Sequence, residues 1–259
     1  KAVVRDAGRE DTRNYIQVTG SGKYNLTIDN LYSTYQTTAP YRTTGGITFI
    51  PKPDMIAELT LNMVGDNRFG NIHFTDKRNY TRAPHDLYKL ILEGDGSLTV
   101  ADVDFYVENS GYYSNHHASV IGGDDAHEDC NELIINSGTI YAGSTKAENC
   151  SAIGGGGNGN GVITINGGTV TAVATTTGTA IGGGIGFTYA GGSGTVTING
   201  GNVYAYNLAN QWNIPSAAIG GAGSKSSVGN TGSVNIKGGN IYAQTALGTA
   251  IGGGSSQTI

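Results

Sequence analysis

The sequence predicts an all-β fold: a right-handed parallel β-helix, a three-sided solenoid with a less regular N-terminal part. Three observations carry this. Glycine is in excess, 43 Gly against 5 Pro in 259 residues, with no every-third-residue period, while β-branched residues and Tyr are plentiful, which favours short strands joined by tight turns. The string Val120-Ile121-Gly122-Gly123 returns as Ala-Ile-Gly-Gly at 152, 180, 218 and 250, at spacings of 32, 28, 38 and 32 residues. Between the copies lie two further alternating apolar and polar strands, so each repeat supplies three, as a three-sided coil requires.

The chain divides chemically near residue 110. Residues 1–110 hold 9 of the glycines and 12 of the 15 Lys and Arg; residues 111–259 hold 34 glycines. In the first part, Tyr24–Ile28, Gly46–Ile50, Leu59–Val64, Asn71–Phe74, Lys89–Leu92 and Ser97–Val100 read as strands between polar turns. No helical period competes with them. This part is expected to form irregular coils that begin and cap the solenoid, a separate small β-domain being the alternative.

In residues 111–259, Leu133-Ile134-Ile135-Asn136-Ser137-Gly138 is repeated by Ile163–Gly168, Val196–Gly201 and Val234–Gly239. Each is followed at once by a strand of the Thr-Val-Thr-Ala or Asn-Val-Tyr-Ala kind, starting at 139, 169, 202 and 240. Period-2 geometry turns Leu133, Ile163, Val196 and Val234 inward together with Ile135, Ile165, Ile198 and Ile236. On the next side Ile140, Val170, Val203 and Ile241 stack beside Ala142, Ala172, Ala205 and Ala243. The repeated Ile121, Ile153, Ile181, Ile219 and Ile251 make a third ladder. Asn-Gly corners suit a sharp turn with positive φ, and Asn136, Asn166 and Asn199 are placed to bond along the axis. The Gly/Ser/Asn-rich stretches of varying length after each Ile-Gly-Gly read as loops leaving the coil. Right-handed connection follows from the rule for parallel crossovers.

The succession of Ala-Ile-Gly-Gly, an insertion, a strand ending in Ile-Asn-Gly-Gly and then Val-Thr-Ala or Val-Tyr-Ala resembles the glycine-rich β-helical repeats of large secreted or wall-associated proteins of Gram-positive, gut-type bacteria. It covers residues 119–259, and Leu92–Val100 looks like the entry to such an array. The resemblance implies a secreted or cell-surface location and a carbohydrate-binding or adhesin-like role; it brings no catalytic motif.

The net charge is −5, and only three Lys stand after residue 110, so the clustered positive charge of a nucleic-acid interface is missing there. No run of about 18 apolar residues marks a membrane-inserting helix. Lys1 opens the chain without a Met or signal-like segment, so the sequence reads as a mature or excised piece. Cys130 and Cys150 are compatible with one disulfide or with two free thiols.

Four features stand apart from the repeat. The stretch Gly123-Asp124-Asp125-Ala126-His127-Glu128-Asp129-Cys130-Asn131-Glu132, with His116 and His117 upstream, holds five of the six acidic residues after 110. Its plainest reading is a solvated insertion. The chemical readings are Ca2+ bound by Asp124, Asp125, Glu128 and Asp129, or acid–base work by Asp124, Asp125 and Asp129 on a glycoside; no other cofactor is implied. A transition metal on His116, His127 and Cys130 is the weaker guess. The outward column Tyr141, Thr171, Tyr204 and Tyr242, with Tyr206 beside it, is either ordinary strand surface or a glycan-stacking track. Trp212, in the longest insertion, packs on its own coil or contacts a partner. The glycine runs at 154–157 and 182–186 lack the Lys-Ser/Thr and helix start of a phosphate loop.

Three functions are therefore in play. The first is an extracellular binding or adhesion module offering a glycan- or host-surface-binding face, or serving as a rod within a larger surface protein. The second is a polysaccharide-degrading glycosidase or lyase using loop carboxylates, an analogy of fold alone. The third, suggested by a fifth Ile-Gly-Gly with no strand after it, is a fibre subunit associating end to end.

Overall fold

The computed structural model describes residues 2–5, 16–33, 46–50, 57–74, 88–101, 118–123, 129–144, 150–175, 178–186, 190–208, 214–225 and 230–256. Those residues are all-β, arranged as three parallel sheets of eight, seven and eight strands. Within a coil the chain passes from sheet 1 to sheet 2 to sheet 3 and then returns one rung higher. In one regular coil these strands are Gly161–Ile165, Thr169–Ala174 and Ile181–Gly182. The fold is a three-sided parallel β-helix.

The inward ladders form as the alternation dictates. Leu133 pairs with Ile163, Ile163 with Val196, and Val196 with Val234, all in parallel register. Sheet 3 carries the longest run of one residue type: Ile16, Ile47, Ile72, Ile121, Ile153, Ile181, Ile219 and Ile251 pair in succession, eight isoleucines deep. Three of these rungs precede residue 110, so the same ladder threads both chemically distinct parts of the chain. A fully buried Ile contributes about 1.5–3 kcal/mol of transfer free energy, and each rung covers its neighbours.

What fills the core changes along the axis. The first coils hold Phe49, Phe69, Phe74 and Tyr88, all buried, with Phe74 and Tyr88 stacked at 5.8 Å and Phe49 edge-on to both. The later coils hold Ile, Val and Ala. One inward column shows the change directly: Ser33, Phe69, Val100, Ala142, Ala172, Ala205 and Ala243 follow one another in register. Asn67 is an inward polar residue with no exposure. It is satisfied at both ends of its amide, accepting from Leu31 N at 3.0 Å and donating to the carbonyls of Val64 and Ser97, as a buried amide must be.

Glycine governs sheet 3. Gly122, Gly154, Gly182, Gly220 and Gly252 have φ between +130° and +141°, and a Cβ on any of the first four would strike the carbonyl oxygen of the next glycine in the column. Absence of a side chain lets successive coils approach and keeps the backbone ladder intact: Ile121, Ile153, Ile181 and Ile219 donate to the carbonyls of Ala152, Ala180, Ala218 and Ala250 at 2.9–3.0 Å. A hydroxyl two residues before Ile121, Ile153, Ile181 and Ile251 closes the turn. Ser119, Ser151, Thr179 and Thr249 donate to the carbonyls of Gly123, Gly155, Gly183 and Gly253 at 2.7–3.0 Å; Ala217 interrupts the series.

Two exposed ladders run along sheet 1. Lys23 lies 3.4 Å from Glu58 and Lys89 lies 3.5 Å from Glu132, while Glu58 and Lys89 are register partners. Charges therefore alternate from coil to coil, which contributes little energy at a surface but penalises like-charge slips in register. At the corner after sheet 1, Asn199 donates to Asn166 at 2.7 Å, Asn166 to Asn136 at 2.8 Å and Asn136 to the Glu93 carboxylate at 3.2 Å. Every amide dipole points the same way and ends on a negative charge; Lys237 takes the Asn position in the last coil.

The stretches after Ile-Gly-Gly, expected to leave the coil, begin by stacking instead. Gly186, Ser224 and Ser256 form successive parallel bridges, Asn158 donates to Ile185 at 2.9 Å, and Ile185, Ile214 and Ala222 form a second small core. Close backbone approach again demands glycine: a Cβ on Gly184 would meet Gly156 O and one on Gly192 would meet Gly159 O.

The glycine column yields a direct test. Gly154→Ala combines unfavourable φ with a collision against Gly182, whereas Gly252→Ala suffers the φ alone, its nearest neighbour being Thr249 Oγ1 at 3.8 Å. Urea unfolding is expected to show a loss of about 3 kcal/mol or more for the first and about 1–2 kcal/mol for the second. Equal losses would show that coil-to-coil contact does not set the requirement.

Candidate functional site

Sheet 2 has three outward columns, each fixed by strand register. The central column runs Tyr32, Arg68, Thr99, Tyr141, Thr171, Tyr204, Tyr242. On one side of it lie Asp66, Ser97, Thr139, Thr169, Asn202 and Asn240; on the other lie Ala101, Gly143, Val173, Tyr206 and Gln244. Six inter-strand steps of about 4.8 Å give the central column a length of about 29 Å.

Its tyrosines are the most exposed aromatic side chains described: Tyr141 is 40%, Tyr204 38% and Tyr242 51% exposed. Three such exposed rings within four successive coils of one column, interrupted only by Thr171, are uncommon on a protein surface. Local packing orients the rings. Gly143 follows Tyr141 by two residues on the same face, and a Cβ there would meet Tyr141 ring atoms at 2.7–3.0 Å, so that ring lies over the glycine. Tyr242 reaches along its strand, donating to Gln244 Oε1 at 3.3 Å, and packs against Tyr206 with centroids 5.5 Å apart and planes inclined at 46°.

A compact polar group closes the N-terminal end of the track. The Asp66 carboxylate accepts from Ser97 Oγ at 2.7 Å, Tyr32 Oη at 2.8 Å and Arg68 Nη2 at 3.3 Å. The Arg68 guanidinium sits 5.5 Å from the Tyr32 ring centroid. The Ser97 hydroxyl above all, with Tyr32 and the Arg68 charge, holds the Asp66 carboxyl below its ordinary value against the opposing effect of partial burial. The charges of Asp66 and Arg68 cancel locally. From Ser97 to Gln244, none of the three outward columns carries a formal charge.

The structure brings Tyr141, Tyr204, Tyr206 and Tyr242 together as the alternation implied. It adds Thr99, from a strand that the alternation had marked, and Tyr32 and Arg68, which the sequence did not reveal because Tyr32–Ser33 is only two residues long and Asp66–Phe69 has the polar composition of a turn. The available signal was spacing: Asp66–Phe69 begins two residues after the strand Ala57–Val64, and a coil needs a strand there.

Of the acidic stretch, Asp124, Asp125, His127 and Glu128 lie outside the described residues, as do His116, His117 and Trp212. Asp129 is described and has a clear structural role. Its carboxylate accepts from Asn160 N at 2.6 Å and Asn160 Nδ2 at 3.4 Å, and Asn160 Oδ1 in turn accepts from Ser193 N at 2.8 Å. The three residues fasten one corner over three coils. Asp95 lines a shallow pocket of 450 Å³ with Asn62, Met63 and Ser97, at the end of sheet 1 opposite to Asp129. These two carboxylates do not converge. Among the described residues no three His, Cys, Asp or Glu side chains form a metal-binding group.

Cys130 and Cys150 are both buried and are not joined in a disulfide. Burial, reinforced by the neighbouring Asp129 charge, pushes the Cys130 thiol up to about 12, far from the thiolate range that supports reactivity.

The arrangement defines a class: a parallel β-solenoid that displays an uncharged, aromatic-centred track on one side. Compared with protein-family models, curated proteins and solved structures, the chain matches none.

Two predictions follow from these environments. Because the folded Asp66 value lies below the unfolded one of 3.8, its stabilisation is present above the unfolded value and is lost as pH falls from there through the lowered folded value. Thermal melts between pH 6 and 2.5 are expected to show a shallower acid decline for Asp66→Asn than for the native chain. Thiol titration at pH 8 is expected to find two reactive cysteines per chain in denaturant and none in the folded protein; no thiols in denaturant would mean a disulfide.

Proposed function

We propose that this chain is an extracellular β-helical binding module whose sheet 2 face engages glycans. The carrying observation is the register-fixed column of Tyr141, Tyr204 and Tyr242, exposed together on one sheet face with Tyr206 packed against Tyr242. Aromatic faces stack on the C–H faces of sugars, and little entropy is lost when a ring already held by Gly143 or by Tyr206 meets its ligand. The neighbouring Thr139, Thr169, Asn202 and Asn240 supply hydroxyl and amide groups suited to sugar hydroxyls. Secretion or attachment to a cell surface is the setting in which such a rod meets polysaccharide.

Affinity electrophoresis or a glycan array with the double variant Tyr204→Ala/Tyr242→Ala tests the reading. Loss of two stacking rings is expected to weaken retention by about tenfold or more, with far-UV circular dichroism and melting temperature close to native. Unchanged retention in a folded variant would refute the site.

A further inference from the structure

Building on that reading, we infer that the ligand is an uncharged, linear polysaccharide lying along the solenoid axis and contacting most of the central column, not a chain end or a short oligosaccharide held at one point. Three independent observations lead there.

Continuity is the first. The central column passes without a break through seven coils from Tyr32 to Tyr242, crossing from the charged N-terminal part into the glycine repeats. A chain end is usually recognised in a pocket that encloses it, whereas an open sheet face lets a polymer extend in both directions. Successive strands present equivalent positions about every 4.8 Å, close to the advance per residue of an extended sugar chain. Tyr204 and Tyr242 are adjacent rungs, and Tyr141 lies two rungs below Tyr204, with Thr171 between.

Relief is the second. One flanking column consists of Ala101, Gly143 and Val173 before it reaches Tyr206 and Gln244, so among the described residues of that column no side chain larger than Val stands over the first three positions. The other flank is a row of short polar groups, Ser97, Thr139, Thr169, Asn202 and Asn240. Among the described residues the face is therefore a low shelf with tyrosines along its midline and hydrogen-bonding groups along one edge.

Charge is the third. A polyuronate or sulfated glycan would call for Lys or Arg along the track, yet the outward columns from Ser97 to Gln244 contain neither, and Arg68 is matched by Asp66 at 3.3 Å. Burying polymer carboxylates against uncompensated tyrosines would lose hydration without a partner. The neutral shelf favours neutral sugar.

Calorimetric titration of the full chain with linear β-1,4-linked gluco-, xylo- and manno-oligosaccharides of two to eight units, and with oligogalacturonates of the same lengths, separates the alternatives. For at least one neutral series, affinity is expected to rise by about tenfold or more between the dimer and the hexamer, to remain within about twofold between 50 and 500 mM salt, and to exceed that of the galacturonate series. Tyr141→Ala is expected to weaken the hexamer and flatten the dependence on length, and Tyr141→Phe to restore it. Affinity that stops rising at the dimer or trimer, or is insensitive to Tyr141→Ala in a folded variant, would overturn axial binding while leaving glycan recognition intact. Preference for the galacturonates would overturn the neutral class. Binding of no oligosaccharide in either series would remove both this inference and the glycan reading beneath it.

Discussion

Parallel register between coils is the constraint on which everything else in this molecule depends. Each strand bonds to the strands one coil below and one coil above, so a residue type chosen at one position is repeatedly exposed to the same type of neighbour. Eight isoleucines in sheet 3 are the plainest outcome. The glycine beside each of Ile121, Ile153, Ile181 and Ile219 follows from the same spacing, because the next coil's carbonyl occupies the volume where a side chain would begin. Tight backbone contact and side-chain stacking are thus two aspects of one geometry.

Register also turns weak interactions into ordered ones. A single exposed Asn–Asn hydrogen bond adds little, but the run from Asn199 to Glu93 aligns every amide dipole toward a carboxylate, and such chains polarise one another. The alternating Lys and Glu of sheet 1 act in the same way against slippage. At the corners Asp129, Asn160 and Ser193 tie three coils through one relay. Asp129, one of the three acidic residues read from the sequence as acid–base candidates, is held in this relay, and its charge helps keep the adjacent Cys130 thiol protonated.

The same regularity prepares a surface. A solenoid can offer chemistry periodically, as a column repeated at the strand spacing. On sheet 2 that column is aromatic and its flanks are uncharged. The residues that orient it are small or aromatic neighbours on the same sheet, Gly143 beneath Tyr141 and Tyr206 beside Tyr242. Rigidity comes from the backbone ladders, so the spacing of the rings is determined before any ligand arrives.

By itself the sequence determined the fold class, the three-strand coil, the inward ladders of residues 119–259 and the outward placement of Tyr141, Tyr204, Tyr206 and Tyr242. All of these follow from period-2 alternation and from glycine and Asn at corners, which are local properties. Tertiary structure decided what depends on which strand lies beside which. Ile16, Ile47 and Ile72 became part of the ladder only when their strands were placed against Ile121. Tyr32 and Arg68 joined the tyrosine column only through pairing of two short, polar strands whose composition resembles turns. The state of Cys130 and Cys150, the tethering of Asp129 by Asn160 and the stacking of the glycine-rich insertions were likewise settled by contacts between residues about thirty positions apart. Alternation fixes which face a side chain takes; only the stack of coils fixes whom it meets there.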